Sequence, residues 1–424
     1  MTHTTFEPER REGSPAPEDL GEAATPVADF GDPHLYTSTD RYAMWAAMSA
    51  ADRVAWTEPG SSPGGFWSVF SHKACSQVLA PQAPFTSEHG MMIGFDAEHS
   101  DSAGGRMLVV TDGDRHTQLR RVIGPFLSRS KAASLNRFIE AETRTLIGLM
   151  RDQPTVDVAA TIGPRIPAAA VCEILGVPVS DRELLVNLTN HAFAGADTTF
   201  DEMTPSEAHA EILLYFDELI DERRKQPRED LISTLLQEES LTPDDVLMNC
   251  DNVLIGGNET TRHAVTGCFH AAADTPGFLP ALAADPDLTG TAVDELIRWT
   301  SPAMHVLRVA TDDVTVGGQK ITRGSAVAAW LPAANRDLRM FDSPEEFDAS
   351  RRPNRHLGFG VGTHHCLGAA LARVELTILL RVLTETVTAV GLQEQPSWLC
   401  SNLVQGYRTL QATVDWRTSR SPSS

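Results

Sequence analysis

Positive charge is scarce in this chain. Its 35 Lys and Arg residues face 57 Asp and Glu residues, leaving a net charge of −22, and such a surface repels nucleic-acid phosphates and anionic bilayers. Neither nucleic acid nor membrane is therefore an expected partner. Only four of the basic residues are lysine, a bias that suits a GC-rich coding sequence better than a structural need. Cysteine is sparse too: the six thiols, at positions 75, 172, 250, 268, 366 and 400, include no Cys-x-x-Cys, so neither a disulfide framework nor a zinc ribbon is indicated. No segment approaches the roughly 20 consecutive apolar residues of a bilayer span. The opening "MTHTTFEPERREGSPAPEDLGEAATP" has no apolar run of the secretory kind. A cytoplasmic protein is the expectation.

What is present suffices for a substantial core: 42% of the 424 residues are apolar. Residues 1–25 are rich in Pro, Glu, Ala and Thr, and the tail 417–424, "RTSRSPSS", resembles them. Both are expected to be disordered, enclosing a single domain over 26–416. Within it helical periodicity dominates. "DRYAMWAAMSAAD", "HTQLRRVIGPFLS", "AASLNRFIEAETRTLIGLMRD", "SEAHAEILLYFDELIDERRKQ" and "TGTAVDELIRWT" all repeat apolar residues every three or four positions. Strand-like pieces are few and cluster late, with a Gly-Gly hairpin signal in "DDVTVGGQKITRGSAVAAWLP" and alternation in "LVQGYRTLQATVDW". The composition and pattern predict a mainly α fold with a small β region.

One loop departs from this plain helical reading. In "FGVGTHHCLGAALARVEL", residues 359–376, Gly360, Gly362 and Gly368 surround Cys366 just before an apolar helical face. Most isolated cysteines are packing residues, but glycine clusters mark backbone that turns sharply or approaches something flat. The thiol is placed at a helix start, where the macrodipole and unpaired amides favour a thiolate. A tetrahedral zinc site would need further ligands at suitable spacing, and no second Cys/His pair is near. Iron within a planar macrocycle needs only one. The loop resembles the haem-binding element of the cytochrome P450 superfamily, Phe-Gly-x-Gly-x-x-x-Cys-x-Gly, at every defining position, and other elements follow in the family's order from about residue 30 to 416.

That resemblance implies a helical prism around a buried haem b, with Cys366 as axial ligand and Phe359, Gly360 and Gly368 shaping the loop beneath it. The central stretch "DVLMNCDNVLIGGNETTRHAVTGCFHAA" reads as one long helix. It carries adjacent glycines, Gly256 and Gly257, each costing roughly 1 kcal/mol relative to alanine there. Close helix packing would explain them, but Glu259 and Thr260 follow at once, an acid and an alcohol in an apolar stretch. Thr260 can bond back to the Gly256 carbonyl and bend the helix. In the resembled family the glycines form an oxygen groove over the haem, and the acid and alcohol, here Glu259 and Thr260, steer protons. The intact pair argues against the peroxide-driven branch.

Glu295 and Arg298 in "DELIRW" share a helix face, and by resemblance form a buried structural network with Arg351, the neighbouring Arg352 being the alternative. His116 and Arg120 in "HTQLR", Arg308 in "MHVLRVA" and His364 fill the family's propionate-binding positions; His365 has no such role. Substrate contacts are expected from Leu254, Ile255 and Asn258 on the long helix, from Met304, His305 and Val306, and from Leu403 and Val404. Residues 85–108 match the family's lid loop, with Met91, Met92 and Ile93 as its apolar contacts.

The resemblance implies a monooxygenase that inserts one atom of dioxygen into a small organic substrate by hydroxylation or epoxidation. A tailoring step in bacterial secondary metabolism is the favoured setting, with the substrate free or bound to a carrier protein. Electrons would come from NAD(P)H through ferredoxin reductase and a ferredoxin docking at Arg121, Arg352, Arg355 and Arg373. The enzyme is expected to be a monomer. The alternatives are a sterol- or xenobiotic-oxidising member, a cysteine-dependent hydrolase with His364 or His365 as base, and a non-catalytic haem or gas-binding protein, which would not require Glu259 and Thr260.

Overall fold

The computed structural model describes residues 28–37, 40–60, 62, 64–94, 103–193 and 203–417. The N-terminal segment 1–25, the tail beyond 417 and positions 95–102 of the lid loop lie outside the described residues. Nine helices of eleven residues or more occur among the described residues. They are α1 (Arg41–Ala51), α2 (Gly113–Ile123), α3 (Asn136–Leu149), α4 (Arg165–Leu175), α5 (Arg182–Ala192), α6 (Pro205–Lys225), α7 (Pro243–Asp274), α8 (Thr289–Thr300) and α9 (Ala369–Thr386). The mainly α reading therefore stands.

Local chemistry sets the longest of these. The Thr242 hydroxyl accepts from the Asp245 amide at 3.2 Å while the Asp245 carboxylate accepts from the Thr242 amide at 2.7 Å, and Pro243 occupies the first helical position. From that start α7 runs through the main apolar core, packing on α4, α6, α8 and α9. Its approach to α8 is close enough that a side chain at Gly267 would run into Thr300. The most apolar stretch, Val158–Leu175, is 72% buried inside the fold.

Twelve short strands occur among the described residues. One sheet holds β1 (Val54–Thr57), β2 (Phe66–Val69), β3 (Phe85–Thr86), β5 (His305–Ala310) and β8 (Ala326–Trp330) in the order β1-β2-β8-β5-β3, antiparallel except between β2 and β8. A second holds β4 (Val156–Asp157), β12 (Gln411–Trp416) and β9 (Val387–Leu392) in the order β4-β12-β9. β6 (Val314–Val316) and β7 (Gln319–Ile321) form the hairpin read from Gly317-Gly318, whose φ values of 56° and 84° suit a two-residue turn. β10 (Ser397–Trp398) pairs with β11 (Tyr407–Thr409). The expectation that strands cluster late is corrected by β1 and β2. β2 is buried at all four positions, so it shows no in–out alternation to read.

Between β8 and α9 lies an irregular stretch that one carboxylate organises. Glu295 accepts from Arg298 through Nε at 2.7 Å and an η nitrogen at 2.8 Å, from Arg351 Nε at 3.0 Å, from Asn354 at 3.0 Å and from the Asp348 amide at 3.0 Å. Arg298 in turn donates to the carbonyls of Asn335, Pro344 and Glu346, and Arg351 to those of Asp342, Ser343 and Glu346. Arg352 is exposed, so Arg351 is the third member. Glu295 and Arg298 are fully buried, and removing one member of such a network leaves charge unpaired in the interior. Glu295→Ala is expected to cost about 3–5 kcal/mol, measured as a lower denaturation midpoint; a midpoint unchanged from wild type would refute the structural role.

Candidate active site

The cysteine loop turns by means of left-handed backbone at Gly360, φ 64°, and Gly362, φ 84°, where a side chain would also meet the Leu79 carbonyl. The Gly360 amide donates to the Leu357 carbonyl at 2.7 Å and the Cys366 amide to the Phe359 carbonyl at 2.8 Å. The Phe359 ring lies 4.5 Å beneath the Arg373 guanidinium, which pairs with Asp294 at 3.0 Å. α9 begins three residues after the thiol. Burial raises the thiol pKa, against the opposing pull of the Gly368 and Ala369 amides and of the Arg120 and Arg373 charges. Gly368 has ordinary helical-side dihedrals, and a Cβ there would meet only Cys366 Sγ, at 3.9 Å.

Four residues that sequence position alone had grouped are brought together beside this loop. The His116 and His364 rings lie 4.3 Å apart, and Arg120 donates to the His365 carbonyl at 2.8 Å. The Arg120 and Arg308 charges both act on His116, which burial and these neighbours push down to about 4. Sequence reasoning missed the fifth member, Asp112. It lies 2.7 Å from His364 Nε2 and accepts from the Thr86 hydroxyl and the Ser87 amide, both at 2.7 Å. Although burial opposes it, these bonds hold Asp112 well below the usual carboxylate range. Its position immediately before α2, four residues ahead of His116, was the available signal.

Whether these residues suit a haem can be tested on three features. Cys366 lies deep in the fold yet is exposed, so its sulfur faces internal space. His116 Nε2 is a buried nitrogen with no hydrogen-bond partner. Burial pushes the Arg308 guanidinium down to about 10, with only Asp112 opposing, and its described bond is to the neighbouring Leu307 carbonyl. A thiol in a glycine-bounded loop, an unmet ring nitrogen and a buried cation short of anionic partners fit a macrocycle bearing two carboxylates.

On α7 the two adjacent glycines do different things. Gly256 is exposed although it lies mid-helix in the interior, and nothing stands within 4 Å of where its Cβ would be. Gly257 instead packs on Val171 of α4, whose Cγ2 would be 2.8 Å from an added Cβ, so close helix packing explains it. Thr260 is half-buried one turn on, and its hydroxyl makes no hydrogen bond among the described residues. The expected back-bond to Gly256 is absent, and α7 continues without a break. Glu259 lies 3.4 Å from His263 Nε2 and 3.4 Å from Arg262 Nε, and its Oε2 has no hydrogen-bond partner. Burial and the Arg262 charge push His263 down to about 4. Arg262 also donates to Asn190. Neither Arg262 nor His263 was singled out from sequence, although both lie one turn beyond Glu259.

Several expected substrate contacts turn elsewhere. Leu254 and Asn258 lie about 200° around the helix from Gly256; Leu254 belongs to the core and Asn258 donates to Thr189 of α5 at 3.0 Å. Met304 is core, 1% exposed, and Val404 is buried, bridging to Ala303. His305 is buried against Trp330. Met91, Ile93, Ile255, Val306 and Leu403 are half-buried, and Met92 is 54% exposed. Asn252, half-buried one turn before Gly256 and on its face, was missed; its i−4 spacing was the signal.

A family model for cytochrome P450 matches residues 282–386. Over 394 residues the chain is 35% identical to cytochrome P450 NovI of Streptomyces niveus, covering 91% of this chain and 96% of that protein. Among solved structures, P450 OxyD, involved in the biosynthesis of vancomycin-type antibiotics, matches with a TM-score of 0.89 at 56% identity, covering 92% of this chain and 100% of its own. P450BioI, solved with an acyl carrier protein ligated to hexadec-9Z-enoic acid, matches at 0.79 and 25% identity, covering 89% and 99%. The helical fold, the glycine-bounded thiol and these relatives together make the chain a member of the cytochrome P450 family, a haem-iron monooxygenase that works with an external electron donor.

Proposed function

We propose that this P450 carries out a hydroxylation or epoxidation that tailors a bacterial secondary metabolite, on a small substrate that a carrier protein presents. The observation that carries the oxygenase reading is the pairing of buried Glu259, whose Oε2 makes no hydrogen bond, and Thr260, with its unbonded hydroxyl, beside exposed Gly256. A protein that only binds haem has no use for a costly buried acid there. The involvement of OxyD in antibiotic biosynthesis and the carrier-bound ligand of P450BioI support the setting and the carrier. The cofactor is haem b, and electrons come from NAD(P)H through ferredoxin reductase and a ferredoxin. The enzyme is a cytoplasmic monomer that does not enter the bilayer.

In this reading Cys366 holds the iron through its sulfur, with the Gly368 and Ala369 amides and the Arg120 and Arg373 charges stabilising the thiolate. His116, Arg120, Arg308 and His364 take the two carboxylates, with Asp112 orienting His364. When bound, the haem supplies the activation of dioxygen and the transfer of one of its atoms. The polypeptide manages protons and position. Thr260 offers a hydroxyl that is free to donate and accept at the open face of α7, and Glu259 can take up and release a proton at Oε2. His263 stays neutral, its Nδ1 accepting the Tyr407 amide at 3.2 Å and its Nε2 lying 3.4 Å from Glu259 Oε1 and 3.1 Å from Arg262 Nε. Ile255, Val306, Leu403, Met91 and Ile93 supply apolar wall, which orients a substrate while excluding water.

The docking surface is narrower than the sequence suggested. Arg121 is exposed at the end of α2 beside the cysteine loop, and Arg352 and Arg355 are exposed in the stretch before it. Arg373, by contrast, is tied to Asp294 over Phe359, so reversing it would disturb the thiolate loop.

Three measurements test the proposal. Cys366→Ser should lose the red-shifted Soret band of the reduced carbon monoxide complex together with all product; retention of the band would remove Cys366 as ligand. Thr260→Ala should keep haem and substrate affinity but lower product formed per NAD(P)H consumed, reducing equivalents being diverted to peroxide or water. Unchanged coupling would take Thr260 out of the mechanism. Arg121→Glu combined with Arg352→Glu should slow ferredoxin-driven reduction in stopped flow and flatten its salt dependence, because screening acts over about 8 Å at physiological salt. Reduction indifferent to both charge and salt would place the partner elsewhere.

A further inference from the structure

His305 opens β5 and is only 3% exposed, with its ring set edge-on to Trp330, its register partner on β8, at 5.2 Å between centroids. A phenyl or aliphatic side chain would fill that place without the cost of burying two ring nitrogens. Both nitrogens, however, are used. Nδ1 lies 2.9 Å from the Asn402 carbonyl, which can only accept, so Nδ1 carries the proton. Nε2 is then a bare acceptor, and it receives the Ile93 amide at 3.2 Å. One neutral tautomer satisfies both contacts, and burial, which pushes the imidazole down to about 4 against the Asn402 carbonyl, keeps it neutral near pH 7.

The two segments so joined are far apart in sequence and differ in how else they are held. The turn at 402–405 has its own fastenings: the Met304 amide donates to the Leu403 carbonyl at 2.9 Å, and the Gln405 amide to the Pro302 carbonyl at 2.7 Å. Residues 91–94, among the described residues, reach the body of the fold through the Ile93–His305 hydrogen bond and the packing of the Ile93 side chain. Ile93 is half-buried against the same apolar cluster as Trp330, and Leu403, also half-buried, follows Asn402 in the turn, whereas Val306, next along β5, faces the opposite side of the sheet. The place of the loop therefore depends on this ring more than the place of the turn does.

We propose that His305 is a positioning residue that sets the shape of the substrate chamber by tying the loop at Ile93 to the turn at Asn402. It touches no reacting group; it acts through the wall residues it holds in register. The inference rests on the reading of Ile93 and Leu403 as chamber wall. It replaces the sequence-based expectation that His305 itself meets substrate.

The holoenzyme can be tested with two variants and two azoles. His305→Phe keeps a ring against Trp330 and removes both hydrogen bonds, whereas His305→Gln keeps an amide able to donate to Asn402 and accept from Ile93. Imidazole and 4-phenylimidazole are titrated by their Soret shifts, and amide exchange is followed over residues 88–94. Loss of the tie should speed exchange at Ile93 and weaken 4-phenylimidazole by about five- to tenfold, the scale of a lost hydrogen bond or two, while imidazole, too small to reach the wall, binds as before. His305→Gln should recover most of both effects. Exchange and azole ratio unchanged in His305→Phe would overturn the proposal, as would equal weakening of both azoles with no recovery in His305→Gln, the pattern of a general packing defect. A wild-type enzyme that gives no Soret shift with either azole would overturn the haem reading, while exchange at Ile93 would still decide whether the tie exists.

Discussion

A single buried carboxylate, that of Glu295, holds together the half of the molecule that carries the thiol. Its two oxygens receive two guanidiniums, an amide side chain and a backbone amide, and the two arginines spend their other nitrogens on five different carbonyls between 335 and 346. Every one of those carbonyls belongs to chain without regular structure, where no ladder could satisfy it. The network replaces secondary structure in that stretch. It fixes the path of the chain from β8 to Leu357, whose amide then bonds Asn335 at 2.7 Å, and so fixes where the cysteine loop begins. Coulombic attraction alone would not repay the desolvation of three ions; the full set of carbonyl and amide partners does.

Against that fixed loop stands α7, whose faces are divided among different tasks. Its start is capped, its back carries Leu254 and Asn258 into the core and α5, and Gly257 and Gly267 let α4 and α8 approach. In its middle the strip through Asn252, Gly256 and Thr260 is left partly open. A helix of 32 residues buried on most sides gains its rigidity from packing. An open strip on such a helix is therefore held in place by everything around it, which is what precise chemistry requires.

Much of this was legible in the sequence because it is local. The thiol loop, the Gly-Gly hairpin and the Glu295–Arg298 spacing each lie within a few residues of chain, the central helix is one continuous stretch, and the resemblance to the P450 family rests on such stretches. What could not be read depends on partners distant in sequence. β2 pairs with β8, some 260 residues away, and its two faces pack into different apolar clusters, so its pattern is uniform. Asp112 becomes part of the site only because His364 folds back on it. The facing of Gly256 and the packing of Gly257 follow from a rotation about the helix axis that identical neighbouring residues cannot reveal. His305 and Met304 look like substrate contacts by position, and only the fold shows that both are buried.

The polar group behind Glu259 shows how little slack the interior leaves. His263 Nδ1 accepts the Tyr407 amide, so a neutral ring must carry its proton on Nε2. Yet Arg262 Nε, also a donor, lies 3.1 Å from that same nitrogen, while Glu259 Oε2, 3.4 Å from Arg262 Nε, has no hydrogen bond. Two donors meet at one atom and an acceptor nearby goes without. A small rotation of Arg262 satisfies all three groups by giving Glu259 a donor on each oxygen, from His263 on one and Arg262 on the other. Arg262, two residues from Thr260, thus competes with His263 for one carboxylate in a site where all three residues are buried.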